Sequence, residues 1–577
     1  MTAALRAGRC ILFGVALQTG CLASASTPPL PEASGRGEAV EHAESSLSQV
    51  ALPTSPSTAD QLCDLTFQLD EELSLQIPVQ TLCESGGSRA FPGTLPPGAI
   101  WDASTQVLHF TPDAFQGGRS YPVPVEFWSE QGELTGQGSL QIQVHDTVTH
   151  PNWTLIDAGE RVAGRVLRYQ QLVNEHLAAP HVDATDFIVE LGVPAGDISP
   201  ASMPLRVYLH GFNGSATVQP VSYEFRVAVA DPNNTYWYGE TGTDGLPYPY
   251  TERRVLHAVE QALRDFPGID PDRVYLVGPS MGGAGAATIG LLHHRHFAWV
   301  YATIGQAIPR NHRAVRIAQL ASLWGAPSSL LDTDRPQEPW DTRDLTWLVE
   351  HIPGAADQFL VLKHGKDDAI IHFGAMLQES PLTGRSFYET MALFHVAGMA
   401  AWDEGGHGTA DPLLADEWWM DGWEPAAGTP AIRRSAPIVA AVNNSCDQHP
   451  GTQAGDGTRT WDPSAGFAGQ VEVAGDSGWG GDPSGARNRG IRWETEMDTV
   501  GTLQIAAWTE HPDCPQATAT LTVHRAQWFR LAAGEQVRWD MGEADGIAIA
   551  DERGLITVEG LTLTRTPTTL RLQRIWR

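Results

Sequence analysis

The sequence predicts a multidomain protein: a mostly parallel β-sheet covered by helices, flanked by an N-terminal β-sandwich and a C-terminal β-rich domain. Three observations carry this. Buried-strand runs alternate with helical stretches between residues 187 and 362, the pattern of a parallel sheet. Short alternating runs broken by turn residues fill 62–146, at spacings expected of a sandwich. Further β runs recur between 490 and 575. At 577 residues the chain exceeds what one core can organise. Hydrophobic residues at 42% and charged residues at 18% are globular proportions. A formal net charge of −31 argues against nucleic acid and anionic membrane surfaces as partners, since both need basic patches.

Arg6 and Arg9 precede an apolar run, Cys10 to Leu17. It is too short to span a bilayer and reads as the core of a signal peptide over 1–21. Thr19-Gly20-Cys21 resembles a bacterial lipobox, which implies a lipid on Cys21 and anchorage to the cell envelope. Gln18 stands where an aliphatic residue is usual, and cleavage near Ala23 to Ala25 is the alternative. Export is expected either way. Residues 22–60, rich in Ala, Ser, Pro and Glu, read as a disordered tether. Four cysteines remain beyond the leader, and an exported chain points to two disulfides, Cys63–Cys83 and Cys446–Cys514 being preferred among three connectivities.

Residues 61–148 form the first β-domain. Its strands are expected at Leu65–Leu69, Gln106–Phe110, Tyr121–Phe127 and Ser139–Val144, with Pro122 and Pro124 suited to an edge strand. Leu95-Pro-Pro-Gly-Ala-Ile-Trp-Asp102, Phe110-Thr-Pro-Asp113 and Gly117-Gly118 resemble bacterial Ig-like or cadherin-like modules, which implies a spacer or adhesive role.

The next domain is placed at 149–425. Residues 151–183 fit either a helix or paired strands. Strands follow at Phe187–Leu191, Leu205–Leu209, Phe225–Val229, Val274–Val277, Trp299–Ile304 and Phe359–Leu362. The clearest helix, Thr251 to Phe266, sets Val255, Leu256, Val259, Leu263 and Phe266 on one face. A linker, Glu424 to Pro430, leads to an accessory β-rich domain over 431–577, whose Gly475–Gly490 stretch reads as a long loop.

The chemistry centres on Val274-Tyr-Leu-Val-Gly-Pro-Ser-Met-Gly-Gly283. A β-branched run ends at Gly278, Ser280 follows, and a small-residue helix begins. With 58 glycines, G-x-S-x-G arises readily by chance; the strand before it and the helix after make it a nucleophile elbow. The turn exposes the Ser280 hydroxyl, and the Met281 N–H at the helix start can stabilise an oxyanion. Serine needs an imidazole to take its proton and an acid to orient that imidazole. In this fold the order is serine, acid, histidine. His407, in Gly405-Gly-His-Gly408 after an apolar stretch, supplies the base. Asp367 and Asp368 both stand just past the run Phe359–Leu362; His364-Gly-Lys-Asp-Asp368 fits the His-Gly-x-x-Asp pattern of the family resembled below, which implies Asp368 as the acid, and His407-Gly-Thr-Ala-Asp411 is a decoy of the same form. Leu205-Arg-Val-Tyr-Leu-His-Gly-Phe212 runs a strand into His-Gly, giving the Phe212 N–H as second oxyanion donor. His210 precedes Ser280 and is expected to brace that loop. Tyr236-Trp-Tyr238 and Trp418-Trp419 with Trp423 are weighed as pocket linings against burial, with burial preferred. Asp403 and Glu404 lack a second histidine at metal-ligand spacing, so no metal is assigned.

Between about 180 and 425 the chain resembles secreted α/β-hydrolases of the polyhydroxybutyrate-depolymerase, feruloyl-esterase and acetyl-xylan-esterase group, chiefly through Ile269-Asp-Pro-Asp-Arg-Val-Tyr-Leu-Val-Gly-Pro-Ser-Met-Gly-Gly283. The resemblance implies cleavage of a carboxylic ester, such as a glycan ester or polyester, through an acyl-enzyme. No metal or organic cofactor is implied. Prolyl-oligopeptidase-type peptidases share the elbow, which keeps peptide hydrolysis as the alternative, beside a catalytically silent surface-binding protein.

Overall fold

The computed structural model describes residues 61–83, 87–179, 182, 187–242, 246–312, 314–327, 339–365, 368, 370–371, 374–403, 407, 432–447, 485–511, 514 and 515–576. The leader, lipid site, tether, Trp418, Trp419, Trp423 and the linker after Trp423 lie outside these residues.

A ten-stranded sheet carries the candidate site. Its strands are β1 (Thr154–Arg161), β2 (Gly164–Gln170), β3 (Ile188–Pro194), β4 (Met203–Leu209), β5 (Phe225–Val229), β6 (Ile269–Pro279), β7 (Trp299–Thr303), β8 (Phe359–Gly365), β9 (Gly398–Asp403) and β10 (Gly485–Arg487). Their spatial order is β10-β9-β8-β7-β6-β4-β5-β3-β2-β1. From β5 through β9 all neighbours are parallel. The outer pairs on both sides are antiparallel. A central strand feeding the elbow, with acid and histidine on later strands, is the α/β-hydrolase arrangement. Within 151–183, β1 and β2 pair as an antiparallel hairpin closed at Arg161 and Gly164, the latter at φ 147°. The predicted Thr251–Phe266 helix appears as α1 (Tyr250–Asp265), and the elbow helix is α2 (Met281–Leu292).

The sheet differs from the sequence expectation in what covers it. Side chains of one strand alternate between two cores. Leu276, Leu360 and Leu362 face a cluster that takes in Val255, Ala286, Leu320, Leu348 and Phe387, all helical residues. Tyr275, Trp299, Phe359 and Val361 face a second cluster, closed by Ile432, Ile438 and Ala440 from beyond the linker. An apolar sheet face must be buried, and on this part of the second face the C-terminal domain does the covering in place of a helix. That domain also donates β10, from a stretch expected to be a loop, so 431–577 does not stand apart from the central sheet.

The N-terminal domain is a four-stranded sheet (Gln61–Asp70, Leu134–His145, Ser120–Trp128, Arg89–Pro92) and a three-stranded one (Leu75–Pro78, Val107–Phe110, Ile100–Asp102) sharing one core. Ser120–Trp128 is an internal strand rather than an edge. The short neighbour Arg89–Pro92 pairs only with Val125–Trp128, and the Gly93 N–H beyond it donates to the Pro124 carbonyl at 2.7 Å, so the ladder on that flank stops before Pro122. In the C-terminal domain a five-stranded sheet packs with a three-stranded one. Its hairpin Gln536–Met541 and Ala544–Ile549 escaped the sequence reading because its solvent-facing residues break the apolar run. Cys446 and Cys514 are disulfide-bonded. Cys83 is also in a disulfide, while the side chain of Cys63 lies outside the described ones. No helix among the described residues is long and apolar enough to cross a membrane.

Candidate active site

Four segments leave the C-terminal ends of parallel strands and converge. They are His210–Gly214 after β4, Ser280 after β6, Asp368 beyond β8 and His407 beyond β9. Parallel sheets place sites at this edge.

The elbow follows from its small residues. Ser280 sits at φ 58° and ψ −123°, outside the ordinary regions for an L-residue. The turn closes so tightly that a Cβ on Gly278 would stand 2.3 Å from the Gly282 carbonyl oxygen. One on Gly282 would stand 2.0 Å from the Leu209 carbonyl oxygen. These are backbone contacts, so nothing can move aside, and only glycine fits. The Ser280 N–H donates to the Thr303 carbonyl at 2.9 Å, tying the turn to β7.

The Ser280 hydroxyl lies 2.7 Å from His407 Nε2. His407 Nδ1 lies 2.7 Å from Asp368 Oδ2. The other carboxylate oxygen, Oδ1, accepts from the Ile370 and Ile371 N–H groups, each at 2.8 Å. The Asp368 side chain is fully buried and that of His407 is 16% exposed. The acid is therefore fixed by backbone donors, the imidazole by the acid, and the hydroxyl meets the free nitrogen. Asp367 and Asp411, the alternatives, lie outside the described residues. Behind the pair, buried His364 is pulled down to about 4 by desolvation, which keeps it neutral.

The expected oxyanion donors belong to segments that adjoin Ser280. Met281 is the first residue of α2, so its N–H has no acceptor within the helix. A Cβ on Gly211 would come within 3.5 Å of the Ser280 Cβ, which puts the His210–Gly214 loop alongside the nucleophile. Phe212, next in that loop, is 39% exposed.

His210 braces that loop. Its Nδ1 donates to the Gly211 carbonyl at 2.7 Å, and its Nε2 accepts the Asp231 N–H at 2.9 Å. Desolvation holds it below the ordinary imidazole range. Two further residues were missed in the sequence. Asn234 Oδ1 accepts the Asn213 N–H at 2.6 Å, and Asn234 Nδ2 donates to Asn213 Oδ1 at 2.9 Å. Both asparagines have positive φ. The turn-prone Asn213-Gly214 and Asn233-Asn234 pairs hint at left-handed backbone, but not at each other. Tyr236, Trp237 and Tyr238 are buried, and Trp237 packs on Gly285 of α2, so they belong to the core.

No family model matches this sequence. No curated protein matches it either. Among solved structures, the chain is similar to an S-formylglutathione hydrolase from Agrobacterium tumefaciens, 16% identical over 45% of this chain and 93% of that one, with a TM-score of 0.32. It is similar to a fluorophosphonate-binding serine hydrolase of Staphylococcus aureus, 15% identical over 46% and 96%, with a TM-score of 0.31. It is also similar to an acetyl xylan esterase from a Paenibacillus species, 12% identical over 46% and 86%, with a TM-score of 0.30.

Proposed function

We propose that this protein is a serine hydrolase that cleaves carboxylic esters through an acyl-enzyme. The observation that supports it is the unbroken line from Ser280 Oγ to His407 to Asp368, with both gaps at 2.7 Å. Ser280 Oγ attacks the acyl carbon and passes its proton to His407 Nε2. Asp368 holds Nδ1–H in place and offsets the imidazolium charge. The Met281 and Phe212 N–H groups stabilise the tetrahedral oxyanion. The alkoxide leaves with the proton from His407, giving the acyl-enzyme. Water then adds by the same route in reverse, and the carboxylic acid departs with Ser280 restored. Each step uses side chains and backbone of this chain.

The residues of 1–21 add the proposal that the enzyme works outside the cytoplasm, tethered through Cys21. The test is fluorophosphonate labelling of the parent and of Ser280→Ala, followed by turnover of p-nitrophenyl esters, an acetylated glycan, a polyester and a peptide panel. Labelling at Ser280 with ester turnover is expected. An unlabelled Ser280 assigns the fold to binding, and peptide turnover exceeding ester turnover assigns it to a peptidase.

A further inference from the structure

Arg316 lies in the helix α3 (Ala314–Trp324) and is partly buried. Its guanidinium carbon stands 4.9 Å from the ring centre of Phe212 and 5.3 Å from that of Tyr236. Phe212 belongs to the loop whose Gly211 abuts Ser280. One stacking contact and one peptide unit therefore connect this cation to the nucleophile's border.

The neighbouring arginines show what is unusual. Arg310 is 2.7 Å from Asp341, and Arg343 pairs with the buried Glu252. Among the described residues Arg316 pairs with no carboxylate, and its hydrogen bond goes to the neutral Gln319 amide oxygen. The chain carries 68 acidic residues against 37 basic ones, so an arginine with no acid among the described residues is not forced by composition. Aromatic faces hold a guanidinium without using its in-plane N–H donors. Among the described residues only Nη1 is engaged, by Gln319, and the rest of the fork suits a carboxylate.

We infer that Arg316, held by Phe212 and Tyr236, binds a carboxylate on the substrate, making acidic esters the preferred class. This rests on the esterase reading of Ser280 and specifies its substrate. The test compares mono-p-nitrophenyl succinate with its neutral methyl ester in the parent and in Arg316→Gln. The parent ratio of kcat/KM, anionic over neutral, should exceed that of the variant about tenfold or more. Added salt should shrink the parent ratio. An unchanged ratio, or an equal fall for both esters, overturns the inference. A second arm separates it from the hydrolysis reading: calorimetric binding of both esters to Ser280→Ala, with and without Arg316→Gln. Arg316-dependent preference for the anion in that background upholds the inference even if the parent turns over neither ester. No such preference overturns it even if the parent is an active esterase.

Discussion

Two histidines stand beside Ser280, each followed in the sequence by glycine and each lying beyond a strand's C-terminal end, and they do opposite things. His210 spends both ring nitrogens on its own surroundings, one on the Gly211 carbonyl and one on the Asp231 N–H. His407 spends one nitrogen on a buried carboxylate and turns the other to the hydroxyl. The first is 3% exposed and walled by Trp237. The second keeps a solvent-exposed edge. Partner supply, rather than residue type or the His-Gly dipeptide, separates a brace from a base. A base needs one lone pair that the protein does not already use.

The contrast breaks hardest at the nucleophile. Ser280→Ala should cut ester turnover by about 10⁶-fold, with an unchanged urea unfolding midpoint, because the hydroxyl supports no packing. Next, Asp368→Asn should cost about 10⁴-fold in kcat, since an amide no longer selects the Nδ1–H tautomer. Comparable rates for Asp368→Asn and the parent would move the acid elsewhere.

A smaller effect is expected at the brace. His210→Ala strands the Asp231 N–H and empties a buried ring site, at about 2–3 kcal/mol of stability by urea denaturation. Its turnover should fall by about ten- to a hundredfold through the displaced Phe212 donor. The acid limb of its kcat/KM profile should stay where the parent has it, and a shifted limb would make His210 the base. The subtlest test is linkage. Burial keeps His210 below the ordinary imidazole value, so below about pH 6.5 the unfolded chain binds more protons than the folded one. Its stabilising contribution is thus present above that pH and lost as pH falls. The gap in urea midpoint between parent and His210→Ala should narrow from pH 7.5 to pH 5. A gap that widens would mean His210 is charged in the folded state.

Legibility in the sequence followed the range of the interaction. The run from Val274 to Gly283 encodes its turn locally, because strand propensity, forced glycines and small helical residues all act within ten positions. The same holds for the His-Gly loops and for α1, whose apolar period is complete in itself. The Asn213–Asn234 clamp was hidden, since each asparagine alone is only a turn former. So was β10, in a glycine-rich stretch with no apolar alternation, which becomes a strand because the free edge of β9 accepts it. Arg316 was equally silent. A charge at helical spacing looks solvated until the aromatic rings across from it are known.

What the sequence by itself determined was the identity and order of the three residues proposed to react, together with the strands that end beside them. These depend on periods and glycines that a linear reading can count. Tertiary structure alone decided which nitrogen of which histidine is left unspent, what covers the second face of the central sheet, and where an arginine finds aromatic company. Those outcomes depend on partners 21 to 157 positions away in the chain, and no local pattern records a contact across that distance.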